Sequence, residues 1–257
     1  MKISNFNIIF YRKLCTLSWF FQSIPTFFFT VSKKKKNNDI YFNSEDLFIV
    51  TSCINPRDSK LFFNHNFHHK KKQRFLEFKK SIKSIRTYYP DAQIVSLDNS
   101  RLGKVMNKKI QRLVDVRFDY SQDLAIQKTR KSPNKGVPWA AKIIKFLSEN
   151  SDIVTSKRIH FLVARYYLRK KKLINYNNKG IFFKYYRQHN NVSTRYFFSN
   201  QISVKNLISI FRKTYILACL GKSVEDLIFK NCNKIKLYLV DKIGVSGTVN
   251  GIDYVEE

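Results

Sequence analysis

"RFLEFKKSIKSIRTYYPDAQIVSLDNS", residues 74–100, holds two hydrophobic periodicities back to back. In its first half Phe75, Phe78, Ile82, Ile85 and Tyr89 recur at heptad-like spacing, while Lys79, Lys80, Lys83 and Arg86 take the other faces. That is an amphipathic helix with one apolar stripe. Pro90 has no N–H to continue the helix and ends it. "AQIVSL" then reads as a short buried strand that stops at Asp98. Upstream, "DLFIVTSCI" (46–54) is a second apolar, β-branched run, as expected of a strand covered on both faces. Strand, basic helix and strand form a β–α–β unit, and such units close with the right-handed crossover of a parallel sheet.

Downstream the alternation continues. A helix is expected near "LGKVMNKKIQRL", a strand at "VDVRF", and a well-marked helix at "NKGVPWAAKIIKFLSEN", where Pro138 sits in the first turn and Ala140, Ile143, Ile144 and Leu147 share a face. "RIHFLVARYYL" reads as one further strand, and "GIFFKYYR" and "VSTRYFF" as two more joined through "QHNN". Two helices follow, separated by "CLGKSVED", where Gly221 suits a left-handed cap and Ser223 with Asp226 makes a capping-box pattern. The fold class is α/β, a mostly parallel central sheet flanked by helices and related to the Rossmann arrangement. No internal repeat is present.

The chain has 257 residues, enough for one large domain, and 44% of them are hydrophobic. It carries 48 Lys and Arg against 18 Asp and Glu, a net charge of +30, which favours nucleic acid, anionic lipid or phosphorylated small molecules as partners. Abundant Lys, Asn, Ile, Phe and Tyr beside 7 Gly and 5 Pro also match the composition of AT-rich coding sequence, so charge alone selects no partner. Cys15, Cys53, Cys219 and Cys232 form no C-x-x-C pair. Zinc-ribbon spacing is therefore missing, and a reduced, cytoplasmic compartment is expected.

Residues 1–38 form an apolar and basic N-terminal segment, and residues 39–257 read as a single α/β domain. From Leu14 to Val31 no residue is charged, and Lys33 to Lys36 follow. Such a stretch suits a short membrane anchor, an interfacial helix on an anionic membrane surface, or a helix packed on the domain.

Ligands of open parallel sheets bind beyond the carboxyl ends of the strands. The polar residues there are Thr51, Ser52, Arg57 and Asp58 after the first strand, Asp98 and Asn99 after the second, and Arg165 in "RIHFLVARYYL". Asn134, Lys135 and Gly136 precede the helix that carries Pro138. A carboxylate at Asp98 can accept hydrogen bonds from a ribose or a base, or it can cap the turn before "NS". Arg57, Lys135 and Arg165 can hold phosphate oxygens.

"TSCINPRDS", the stretch quoted first, "SPNKG" with its helix, and "RIHFLVARYYL" together resemble the layout of glycosyltransferase-A-type sugar transferases. The likeness is to small bacterial and viral members that act in polysaccharide biosynthesis, with a "K-G" loop before a helix and an "R-Y" motif after a strand. "VSTRYFF", "GKSVED" and "GVSGTVNGIDY" fall where such enzymes carry their acceptor side. The resemblance covers residues 46–257 and implies a nucleotide-sugar donor and a glycan or lipid-linked acceptor. By position it assigns Thr51, Arg57 and Asp98 to the nucleotide and Lys135 and Arg165 to the diphosphate. It assigns Glu225 to the base that deprotonates an acceptor hydroxyl. In "GKSVED" Glu225 also suits a helix N-terminus.

Many such transferases hold a divalent cation with Asp-x-Asp, and no Asp-x-Asp occurs here. The resemblance therefore implies a metal-independent or inactive member. His65, His68 and His69 lie in a lysine-rich segment that opposes a cation, so they read as a solvated loop. Walker and serine-hydrolase signatures do not occur. The rival reading is a nucleic-acid-binding protein, because "FFKYYRQ" and "STRYFF" interleave aromatics with cations. A catalytically inactive membrane-surface protein is the third.

Overall fold

The computed structural model describes residues 40–55, 71–130, 132, 134–169, 177–232, 235–249 and 253–256, with backbone alone from 248 onward. The expected N-terminal membrane segment, Arg57 and the three clustered histidines lie outside the described residues. Among the described residues no helix is long and apolar enough to cross a membrane.

The β–α–β unit forms as the quoted stretch dictates: β1 (Asp46–Ser52), α1 (Lys71–Tyr88) and β2 (Gln93–Asp98), with β1 and β2 parallel. Then come α2 (Lys104–Gln111), β3 (Val116–Asp119), a short α3 (Leu124–Thr129) and α4 (Gly136–Glu149). β4 (Arg158–Val163), β5 (Tyr166–Leu168), β6 (Gly180–Tyr186) and β7 (Asn191–Asn200) precede α5 (Val204–Cys219) and α6 (Val224–Asn231). β8 (Leu237–Val240), β9 (Val245–Val249) and β10 (Asp253–Glu256) finish the chain.

Seven strands form the main sheet in the order β3-β2-β1-β4-β7-β6-β8. Only β7 runs against the other six, so the expectation of a mostly parallel sheet holds. The central strands are covered on both faces, and alternate residues serve two separate cores. Leu47, Ile49, Val95 and Leu97 face α4 and α5 through Ile143, Leu147 and Phe211. Phe48, Val50 and Ile94 face α1 through Phe78, Ile82 and Ile85.

One expectation is corrected. "RIHFLVARYYL" is two strands rather than one, broken at Ala164 and Arg165. β4 belongs to the main sheet, whereas β5 pairs with β9 in a three-stranded sheet. The turn needs a close approach at Gly247, where an added Cβ would lie 2.5 Å from the Arg165 carbonyl oxygen and 2.5 Å from Tyr166 Cδ1. The break seats Arg165 at a corner, directly beyond β4.

Candidate functional site

Strand order reverses between β1 and β4, which leave in opposite directions toward β2 and β7. In open α/β sheets the crevice that takes a ligand lies beyond the carboxyl ends of the strands at such a switch point. The Ala164 N–H donates to the Thr51 carbonyl at 3.0 Å, which brings Arg165 alongside the end of β1.

Asp98 underpins the floor. Its carboxylate is fully buried and accepts from the Ser52 hydroxyl, from the Ile54 N–H at 3.3 Å and from the Ser100 N–H at 2.8 Å. The acid therefore ties the ends of β1 and β2 together. Thr51 is 3% exposed, at the end of β1.

Cations surround this floor. Lys142 on α4, 4% exposed, donates to the Ser52 carbonyl at 2.6 Å. Arg130 spans the loops, donating to the Asn99 carbonyl at 2.9 Å and the Asn55 carbonyl at 3.1 Å. Arg74 at the start of α1 donates to the Cys53 carbonyl at 3.0 Å. Burial lowers the pKa of Arg74, and the positive charge of Arg165 lowers it further. Lys135 behaves alike: partial burial lowers its pKa first, then the charges of Arg165 and Arg74. Three cations thus repel one another across the crevice, a cost that an anion would relieve.

Lys135 owes its position to Asn134. The Asn134 side chain accepts from the Gly136 N–H at 3.0 Å and donates to the carbonyls of Ala218 and Lys222 at 2.9 and 2.8 Å. That clamp presses the start of α4 onto the end of α5 and the start of α6. Contact is tight enough that a Cβ on Gly136 would fall 1.9 Å from Val224 Cγ2.

Glu225 lies next to Val224. Its carboxylate accepts from the Thr194 and Ser223 hydroxyls, each at 3.0 Å. It also helps to raise the Tyr186 pKa, which burial raises most and Arg195 opposes. The Arg195 guanidinium donates to the Tyr186 hydroxyl and stands 5.6 Å from the ring centre of Tyr166. Arg165 approaches the same ring at 5.9 Å.

Of the six residues expected from the sequence, Thr51, Asp98, Lys135 and Arg165 gather at the ends of β1, β2 and β4. Glu225 stands beyond Tyr166 and Tyr186, toward the ends of β6 and β7. Arg57 falls outside the described residues. Arg74, Lys142, Tyr186 and Arg195 were missed. Arg74 reads as the polar face of a helix, and Arg195 as an ordinary strand residue among aromatics. A cation in the first turn of the helix that follows a parallel strand is the signal that would have found Arg74.

Among the described residues no three His, Cys, Asp or Glu side chains converge as metal ligands. The corner after β4 offers Val163, Ala164 and Arg165, none of them a carboxylate. These residues do not fit a divalent cation. A cavity of about 420 Å³ opens at the other edge of the sheet, lined by Arg117, Phe118, Asp119, Tyr120, Lys145 and Glu149 among others. Its charges are matched internally: Lys145 bridges Asp123 at 3.0 Å and Glu149 at 2.7 Å, and Arg117 meets Asp119 at 3.1 Å. The crevice, where three cations repel one another, is the better candidate for an anionic ligand.

The class defined by fold and site is an α/β protein with a cationic, partly aromatic crevice at the switch point of its sheet. Among solved structures it is similar to the galactosyltransferase LgtC, solved with donor and acceptor sugar analogues, at 9% identity and a TM-score of 0.46 over 75% of this chain and 72% of that one. It is also similar to the mannosyltransferase Ktr4p from S. cerevisiae, at 9% identity and a TM-score of 0.45 over 90% and 80% of the two chains. The bifunctional glycosyltransferase WbbM matches at 9% identity and a TM-score of 0.45, over 81% of this chain and 40% of its own. No protein-family model and no curated protein sequence matches the chain.

Proposed function

We propose that this chain is a glycosyltransferase-like protein that binds a nucleotide-sugar donor in the crevice and passes its sugar to a glycan or lipid-linked acceptor. The observation that carries the reading is the convergence of Arg74, Lys135 and Arg165 beyond β1 and β4, each cation within electrostatic reach of another. A nucleoside diphosphate brings the negative charge that relieves their mutual repulsion. The motif-level resemblance in the sequence supports the same assignment.

In this reading the nucleoside lies against the Thr51–Ile54 end of β1. Asp98 acts beneath it, fixing Ser52 and Ile54. The bond from the anomeric carbon to the diphosphate breaks, and Arg74, Lys135 and Arg165 stabilise the charge that develops on the leaving oxygen. An acceptor hydroxyl forms the new bond to the anomeric carbon, and Glu225 takes its proton. The planar guanidinium groups of Arg74 and Arg165 can bind diphosphate oxygens through two parallel hydrogen bonds, which suits them to stand where other enzymes use a metal.

The test is thermal unfolding with UDP, GDP, CMP and their sugar conjugates, each with and without manganese. A nucleoside diphosphate should raise the melting temperature without metal, and Arg165→Gln should abolish the rise. Indifference to every nucleotide would overturn the reading. So would single-stranded RNA binding that weakens steeply with salt while free nucleotides fail to compete.

A further inference from the structure

Beyond Tyr166 stands a second group of cations that the donor does not need. Lys184 on β6 lies 4.6 Å from the ring centre of Tyr186, and Arg195 lies 5.8 Å from it. Burial lowers the Lys184 pKa first, and the charges of Arg195 and Lys242 lower it further. Lys135 feels Arg165 and Arg74 instead. The two sets share no member, and each reaches the Tyr166 ring, with Arg165 at 5.9 Å and Arg195 at 5.6 Å from its centre.

We infer that the acceptor is itself anionic, a saccharide bearing a phosphate or a carboxylate, received by Arg195, Lys184 and Lys242 with its sugar ring against Tyr166 and Tyr186. This rests on the donor reading above and adds the acceptor's chemical class. Two cations on two aromatic rings, with Lys242 within electrostatic reach of Lys184, exceed what a neutral sugar uses, since hydroxyls are served by uncharged donors and acceptors. Cations over tyrosine faces are oriented before a ligand arrives. A saccharide ring presents C–H groups to the same aromatic surface. Glu225 lies within electrostatic reach of Tyr186, so an acceptor anchored by its anion on Arg195 presents a hydroxyl toward that carboxylate.

Calorimetric titration of the full chain separates the two readings. The probes are glucose 6-phosphate, glucuronic acid and glucose, with UDP, GDP and CMP in a parallel arm. At least one charged sugar should bind and glucose should not, and which charged sugar binds tells phosphate from carboxylate. Arg195→Gln and the milder Lys184→Gln should each weaken that sugar by on the order of tenfold, the effect of one lost charge-assisted contact, and leave UDP unchanged. Arg165→Gln should do the reverse. UDP binding without any charged-sugar binding overturns the anionic acceptor and keeps the donor reading. Charged-sugar binding lost in Arg165→Gln but kept in Arg195→Gln means the sugar occupies the donor cations, and also overturns it. Charged-sugar binding at Arg195 with no response to UDP, GDP or CMP upholds the acceptor site and removes the donor assignment. If no probe binds, both fall.

Discussion

The two ends of the central strands treat charge in opposite ways. At the amino end, Arg158 on β4 grips Asp46 on β1 with two contacts of 2.5 and 2.6 Å and reaches Glu45 at 2.7 Å. His160, fully buried, lies 2.8 Å from Asp46 through Nε2 and 2.9 Å from the Tyr196 hydroxyl through Nδ1. Its ring stacks on Phe48 at 4.2 Å. Every charge there has a partner of the other sign. At the carboxyl end, Arg74, Lys135 and Arg165 stand within electrostatic reach of one another, and Asp98 beneath them is engaged by backbone and hydroxyl donors. Matched charges hold a fold together. Like charges set close together lower stability, and such clusters mark candidate ligand sites.

The largest expected effect sharpens this contrast. Arg158→Met leaves Asp46 without its main partner and should cost about 2–4 kcal/mol, read from urea unfolding. Arg165→Gln removes a repelling charge and should change stability by no more than about 0.5 kcal/mol, or raise it slightly. Equal costs for the two substitutions would break the comparison.

Next in size is the contact that carries Lys135. Gly136→Ala places a methyl group 1.9 Å from Val224 Cγ2 and should destabilise by about 1–3 kcal/mol, although alanine is the better helix former. Val224→Ala in the same chain should recover most of that loss. A double variant no more stable than the single would show that the clamp does not depend on this packing.

The smallest effect concerns pH. Burial holds the His160 pKa below its ordinary 6.5, despite the pull of Asp46 toward the charged form. Burial alone would raise the Asp46 pKa, but Arg158 and His160 together hold it below 3.8. In both groups the unfolded chain takes up protons first, so their stabilisation is complete above 6.5 and declines as the solution is acidified. The histidine part goes first, at no more than about 1.4 kcal/mol per pH unit, and the carboxylate part below 3.8. His160→Gln should remove the first step and leave the second. A melting temperature flat from pH 7 to about pH 5 would exclude a neutral buried His160 as a stability determinant.

Local order was legible because it is written in periodicity. Phe78, Ile82 and Ile85 are buried as their spacing requires, and the flanking lysines are exposed. β1 and β2 were legible because a strand covered on both faces reads as a short, mainly apolar run. The break at Ala164–Arg165 was not, because "RIHFLVARYYL" is β-prone throughout and the turn is imposed by β9, some 80 residues later. Lys142 and Lys145 also resist sequence reading. They fall at 4% and 7% exposure on a helix whose pattern marks them as solvated, because Ser52 and Asp123 supply acceptors from elsewhere and Glu149 adds one from the next turn of the same helix.

By itself the sequence determined an alternating α/β chain, the apolar faces of its helices, and cations placed near strand ends, since these follow from side-chain spacing along one segment. Only the tertiary structure decided which cations meet, that Arg74 joins Lys135 and Arg165 while Arg195 joins Lys184, and that Asp98 is turned inward to hold β1. Electrostatic coupling acts through space over a few ångströms, and residues as far apart as Arg74 and Arg165 reach that range only when the fold brings the start of α1 beside the end of β4.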